Sequence, residues 1–190
     1  MHLTMTAHVV NLIRTANFEL RRINSIRHYL SVQVTKTLLS AFVLSRLDCC
    51  NSLLSGCPQY LLNRRQKVQN NAARLILKAP KTDHITPHLR TLHWLPIDAR
   101  IKYKLRSLCF GAITSICPVY LSDLLKICTP SGQLRSSAEI RIMCIPSVNT
   151  KSYGERSFSY TAPTLWNSLP KDIRFSQSVS SFRSALKTHL

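Results

Sequence analysis

The chain has 190 residues, 45% of them hydrophobic, with 26 Lys and Arg against 8 Asp and Glu, a formal net charge of +18. At about 150 residues per domain this is one domain or two small ones, with enough apolar material for a core and too much for a disordered chain. Four glycines exclude collagen-like or Gly-rich linker character, no apolar stretch approaches the roughly 20 residues of a membrane span, and the opening MHLTMTAHVVNLI lacks the basic and apolar regions of a signal peptide.

In chain order, residues 8–29 read as a first helix with Val9, Leu12, Ile13, Leu20 and Ile23 as its apolar members. Ser31 is the N-cap of a second helix, 32–55, which stops near Gly56 and Pro58. Val34, Leu38, Ala41, Phe42 and Cys49 share one face of it, and Val43, Leu47 and Leu54 point the other way, so it needs cover on two sides. A third helix, 59–78, carries Leu61, Val68, Ala72, Leu75 and Ile76 as a core stripe, with Arg65 falling inside it. On another face Arg64, Lys67, Asn71, Arg74 and Lys78 follow one another at steps of 3, 4, 3 and 4. Pro80 and Pro87 bracket a loop, and Pro96 opens a fourth helix that ends near Cys117-Pro118.

In that fourth helix Ile97, Ile101, Leu105, Leu108 and Ala112 form the apolar stripe. Arg100 and Lys104 lie on one flank, and Lys102 and Arg106 on the other. Tyr103 and Phe110 sit on the outer face, where aromatics stack bases or, more commonly, pack on a neighbouring segment. A short helix over 119–126 follows. From Thr129 to Tyr160 the helical period fades, and alternation around Ile140, Ile142 and Cys144 predicts short strands near 139–146 and 150–160. A short helix interrupted by Pro163 is expected over 158–169, and a last one over 178–190 with Val179, Phe182 and Leu186 on one side. The expected fold is mainly α: a helical domain over 1–128 and a small α+β extension over 129–190 packed on it, with a short β-hairpin or irregular segment near 135–160.

The charge is spread along the chain. Residues 1–100 hold 14 basic and 4 acidic residues, and residues 101–190 hold 12 and 4. Arg outnumbers Lys by 16 to 10, which suits bidentate phosphate contacts. An excess of this size over folded sequence points to a polyanion, most often nucleic acid, and the Arg64, Lys67, Arg74 and Lys78 stripe is the first candidate for phosphate contact. The competing reading is a subunit whose acidic partner is absent.

Catalytic patterns are missing. The four glycines, at 56, 111, 132 and 154, make no phosphate-binding loop, and neither G-x-S-x-G nor H-E-x-x-H occurs. The aspartates at 48, 83, 98, 123 and 172 form no D-D or D-x-D pair of the kind that a two-metal site needs. His84, His88 and His93 are the best-spaced metal candidates, but Pro87 interrupts the first pair and no second close pair accompanies it, so no metal or cofactor is expected. Seven cysteines, an odd number without C-x-x-C, read as reduced and intracellular.

Seven segments follow one another in a recognisable order: FVLSRLDCCNSLLSGCPQYLL, KVQNNAARLI, DHITPHLRTLHWLPIDARIKYK, PVYLSDLL, LRSS, YGERSFSYTAPTLWNSLP and SFRSALKTHL. Together they resemble the region downstream of the polymerase palm in LINE-type, non-LTR retrotransposon reverse transcriptases of the jockey-like clade, over about Arg22 to Leu190. Cys50 departs from the pattern, since such elements commonly have an aromatic before the Cys-Asn. The family's metal-binding Tyr/Phe-x-Asp-Asp turn, its endonuclease domain and its Cys-Cys-His-Cys knuckle have no counterpart in these 190 residues.

The resemblance therefore implies a thumb-like helical bundle that does not itself polymerise and helps hold RNA, DNA or their hybrid behind the palm. It gives the stripe on the third helix, and Arg100, Lys102, Lys104 and Arg106 on the fourth, a duplex-contacting role. It also implies surfaces meant for a palm domain. The cysteine usage and the lack of a signal peptide point to an intracellular location, nuclear or cytoplasmic rather than secreted. The other expected roles are a structural or interaction protein without nucleic acid, and a decayed retroelement copy without selected function.

Overall fold

The computed structural model describes residues 5–128, 141–150 and 154–190. It is mainly helical, and the chain divides into two compact units, Met1–Arg100 and Ile101–Leu190. The division lies inside the fourth strong helix, ahead of the composition change at residue 129.

The first unit starts with α1 (Met5–Ser25) and a 3₁₀ turn over Arg27–Tyr29. Val9, Ile13, Ala16, Leu20 and Ile23 recur at steps of four and three, and all are buried. Helix α2 (Val32–Leu39) has the expected cap, the Ser31 Oγ accepting from the Val34 N–H at 3.3 Å. It runs through a π turn (Ser40–Leu44) into α3 (Ser45–Asp48). Buried Thr35, Leu39, Val43 and Leu47 recur every four residues, which drifts by about 40° per step around an α-helix. The wider turn takes up that drift and keeps all four on the core. The opposite face is open: Val34 and Phe42 are 46% and 45% exposed. The helix ends at Asp48, and a 3₁₀ turn over Asn51–Leu54 replaces the last expected turns.

Helix α4 (Gln59–Leu77) is the spine of this unit, packing on α1, α2 and α5 (Ile85–Thr91). Ala16 of α1 and Ala72 and Ala73 of α4 are fully buried, and their small size lets helices approach closely. Helix α5 corrects the expected loop. Pro87 sits in its first turn, where the missing N–H has no intrahelical acceptor to lose. Two neutral amides join α4 to the segment beyond α5. Gln69 Nε2 donates to the Leu95 carbonyl at 2.8 Å, and Gln66 Oε1 accepts the N–H of Ile97, the first residue of α6 (Ile97–Ile113), at 2.8 Å.

The second unit contains α6 from Ile101 onward, α7 (Val119–Ser122), α8 (Phe158–Asn167), α9 (Lys171–Arg174) and α10 (Val179–His189). Its core joins Cys109, Phe110, Met143, Trp166, Ile173, Phe182 and Leu186. Phe110 is not on an outer face. It is buried and stacked on Phe182 with ring centroids 4.3 Å apart, and Tyr103 packs against the same cluster. Helix α8 passes through Pro163 without interruption. Gly111 has no room for a side chain, since a Cβ there would meet the Cys117 Sγ at 2.5 Å.

The expected strands reduce, among the described residues, to one antiparallel bridge between Ile127 and Met143. Residues 129–140 and 151–153, which include only a small part of the expected strands, lie outside the described residues. Residues 154–156 form a 3₁₀ turn and 158–167 are helical, because Ala162 and Trp166 one turn apart bury a helical face. Met143 finds its second backbone partner in a side chain: the Asn167 amide accepts from the Met143 N–H and donates to its carbonyl, both at 2.9 Å. The bridge brings Cys128 and Cys144 together, and the structure pairs them in a disulfide, so these two are not the reduced thiols expected from sequence. No helix of the described residues is long and apolar enough to cross a membrane.

Two measurements test this packing. Phe182→Ala removes the ring stacked on Phe110 and packed against Trp166 and should cost the second unit about 3–5 kcal/mol, read as a lower urea midpoint. Burial pushes the Cys109 thiol up to about 12. Its folded pKa lies above the unfolded value, so its contribution is complete below about pH 8.5 and declines above it as the unfolded thiol ionises. A chemical-denaturation series should show stability falling between about pH 9 and pH 12 more steeply in the parent than in Cys109→Ala.

Candidate nucleic-acid interface

Helix α4 ends with carbonyls that the helix itself cannot satisfy. Arg27, 48 residues or more earlier in sequence, reaches them. Its Nε donates to the Leu75 carbonyl and its Nη2 to the Ile76 carbonyl, both at 2.9 Å, and its Nη1 donates to the Leu30 carbonyl at 2.8 Å. The guanidinium is buried and also complements the negative end of the helix dipole. Lys78 follows in the left-handed conformation, with φ of 53°, and its N–H and that of Ala79 both close on the Arg74 carbonyl.

This junction forms a groove of about 940 Å³ in the first unit. Asn17, Arg21 and Asn24 come from α1, Arg27 and His28 from the turn behind it, Asn71, Arg74 and Lys78 from the end of α4, and Lys81 from the next segment. Positions 17, 21, 24 and 28 in one stretch, and 71, 74 and 78 in the other, are spaced for one helix face each. No Asp or Glu is among the lining residues. Arg21, His28, Lys78 and Lys81 are exposed. Arg74 is half-buried, and its Nη2 donates to the Asp83 carbonyl at 3.1 Å, which fixes the chain leaving α4.

Of the residues expected to meet phosphate, Arg74 and Lys78 line this groove. Arg64 and Lys67 stay exposed on α4 outside it. Arg100 is half-buried and engaged: its Nε donates to Asp48 Oδ1 at 2.8 Å and its Nη2 to Asp48 Oδ2. Lys102 is half-buried, and Lys104 is exposed beside a smaller cavity of about 290 Å³ in the second unit. Arg106 corrects its expected place on a flank. It is buried, and its Nε and Nη2 donate to the Leu165 carbonyl and the Ser168 Oγ, each at 3.1 Å. Its length lets it turn inward and close the end of α8 through Nε and Nη2, while its Nη1 is buried without an acceptor.

Arg65, whose place in the apolar stripe was anomalous, is fully buried, and no acceptor meets its guanidinium nitrogens. Burial lowers its pKa. The histidines expected as the best metal candidates do not converge: His88 Nε2 lies 3.6 Å from Asp83 Oδ2, and no group of three metal-binding side chains occurs among the described residues. Sequence reasoning missed Arg21, Arg27, His28 and Lys81. The face spacing 21, 24, 28 was a readable signal for the first and third, and nothing local marked Arg27.

Compared with protein-family models, curated proteins and solved structures, the chain matches none.

The capping role of Arg27 is directly testable. Arg27→Ala leaves the carbonyls of Leu75 and Ile76 without their donors and should lower stability by about 2–4 kcal/mol in equilibrium unfolding. Arg27→Lys keeps the charge but loses the planar fork, and should recover less than half of that.

Proposed function

We propose that this chain is a non-catalytic, thumb-like part of a LINE-type reverse transcriptase that grips nucleic acid by its phosphate backbone. The observation that carries the reading is the groove between α1 and the end of α4, with six Arg, Lys and His side chains and no carboxylate in its lining. The ordered segments named above and the net charge of +18 support it. A groove of this composition attracts phosphate whatever the base sequence, because Lys and Arg release condensed counterions as they bind. Asn17, Asn24 and Asn71 add neutral donors for phosphate or sugar oxygens between the charges. The open face of α2 and α3, with Val34 and Phe42 exposed, is what a surface built for a palm domain presents.

With about five phosphates contacted, binding to a labelled RNA–DNA hybrid should weaken roughly 500-fold between 50 and 200 mM salt. The double variant Arg21→Glu/Lys81→Glu touches two exposed groove cations without disturbing Arg27 or Arg74. It should reduce the salt slope by about two phosphates' worth and keep its circular-dichroism spectrum. A folded parent that binds nothing at 50 mM salt sinks the proposal, and so does a double variant with an unchanged slope. The palm-facing reading predicts self-association of the isolated chain that Val34→Ser/Phe42→Ser weakens in sedimentation. A parent that stays monomeric at the highest soluble concentration contradicts it.

A further inference from the structure

We propose that Cys49 and Cys50 form a two-thiolate site for a thiophilic d¹⁰ cation such as Zn²⁺ or Cd²⁺. Both cysteines are exposed, and their Sγ atoms are 3.8 Å apart. Consecutive side chains of extended backbone point to opposite sides. Here Cys49 is extended, with φ of −60° and ψ of 126°, and Cys50 is left-handed, with φ of 51° and ψ of 26°, which swings the second sulfur alongside the first. Tetrahedral zinc with Zn–S bonds of about 2.3 Å holds two sulfurs about 3.8 Å apart, so the pair already stands at chelating separation. A disulfide fits less well. Neighbouring Cα atoms across a trans peptide lie about 3.8 Å apart, below the usual disulfide range.

A further observation points the same way. Left-handed backbone is filled most cheaply by Gly or Asn, and this chain carries a thiol there. On binding, each sulfur forms a bond to the ion and gives its proton to the buffer. Two protons leave per ion and no electron moves. Two coordination positions remain for water or for the same pair of a second copy.

The test is a Cd²⁺ titration of the full chain under a phosphine reductant, read by the thiolate-to-cadmium charge-transfer absorption, with Zn²⁺ as competitor. The expected result is one saturable site per chain, or per two chains if two copies share the ion, displaced by Zn²⁺. Cys49→Ser and Cys50→Gly should each weaken it by about 100-fold or more, the usual loss when a second tethered ligand is removed. Cys50→Gly suits the local backbone, so its fold is retained and a loss of binding reports the ligand. The proposal is overturned if both variants bind like the parent. It is equally overturned if the signal disappears on replacing Cys57 or Cys117, or the Cys128 and Cys144 pair that the reductant opens. Neither result depends on nucleic-acid binding.

Discussion

A helix that ends in the interior of a small domain leaves carbonyls needing donors, and α4 is completed by an arginine from elsewhere in the chain. Arg27 spends its Nε, Nη1 and Nη2 on the Leu75, Leu30 and Ile76 carbonyls. Because those bonds are directional, they set where the end of α1 lies against the end of α4, and the groove is the space between the two. The charge that closes the helix also adds to the positive potential of the groove without being free to leave it. The second unit repeats the device, with Arg106 closing α8. A composition read as surplus cation is therefore divided in use. Some arginines are structural donors held inside, and others remain exposed on the surface.

Helical periodicity carried most of the fold. The two faces of the second helix separated as their spacing required: Val43 and Leu47 are buried, while Val34 and Phe42 are exposed. The apolar stripe of α4 likewise packs inward at Leu61, Val68, Ala72 and Ile76. What the sequence did not disclose was set by contacts between distant positions. Arg106 has the spacing of a flank residue, and only the nearness of the end of α8 draws it inside. Phe110 faces away from the stripe of its own helix, and Phe182, far along the chain, converts that outer face into core. The stretch over 141–150 alternates like a strand, but one bridge is all the described residues form, because Asn167 supplies the hydrogen bonds a second strand would have supplied.

The candidate site was half legible. Arg74 and Lys78 lie where the basic stripe placed them, yet the groove owes more of its charge to Arg21, Arg27 and Lys81, with His28 beside them, from segments not read as basic faces. A stripe on one helix reports only one wall. Arg65 shows the reverse case: its register inside the apolar face was visible and its burial followed, though nothing in the sequence predicted a guanidinium without an acceptor. The cysteines were legible least. Their odd number suggested free thiols throughout, and it took the chain path to bring Cys128 beside Cys144 and to set Cys49 beside Cys50.

Gln66 and Gln69 give the first unit a property that its charge would conceal. They tie α4 to Leu95 and to the start of α6 through neutral amides, whose strength scarcely depends on ionic strength. The surplus of ten positive charges over residues 1–100 acts the other way, pushing the unit apart in dilute buffer and relaxing as ions screen it. Added salt therefore drives the scaffold and the proposed phosphate grip in opposite directions. Brine that weakens the proposed phosphate contacts of the groove leaves the amide ties intact and eases the self-repulsion of the helices that carry them, so the first unit is most secure under the conditions in which those proposed contacts are weakest.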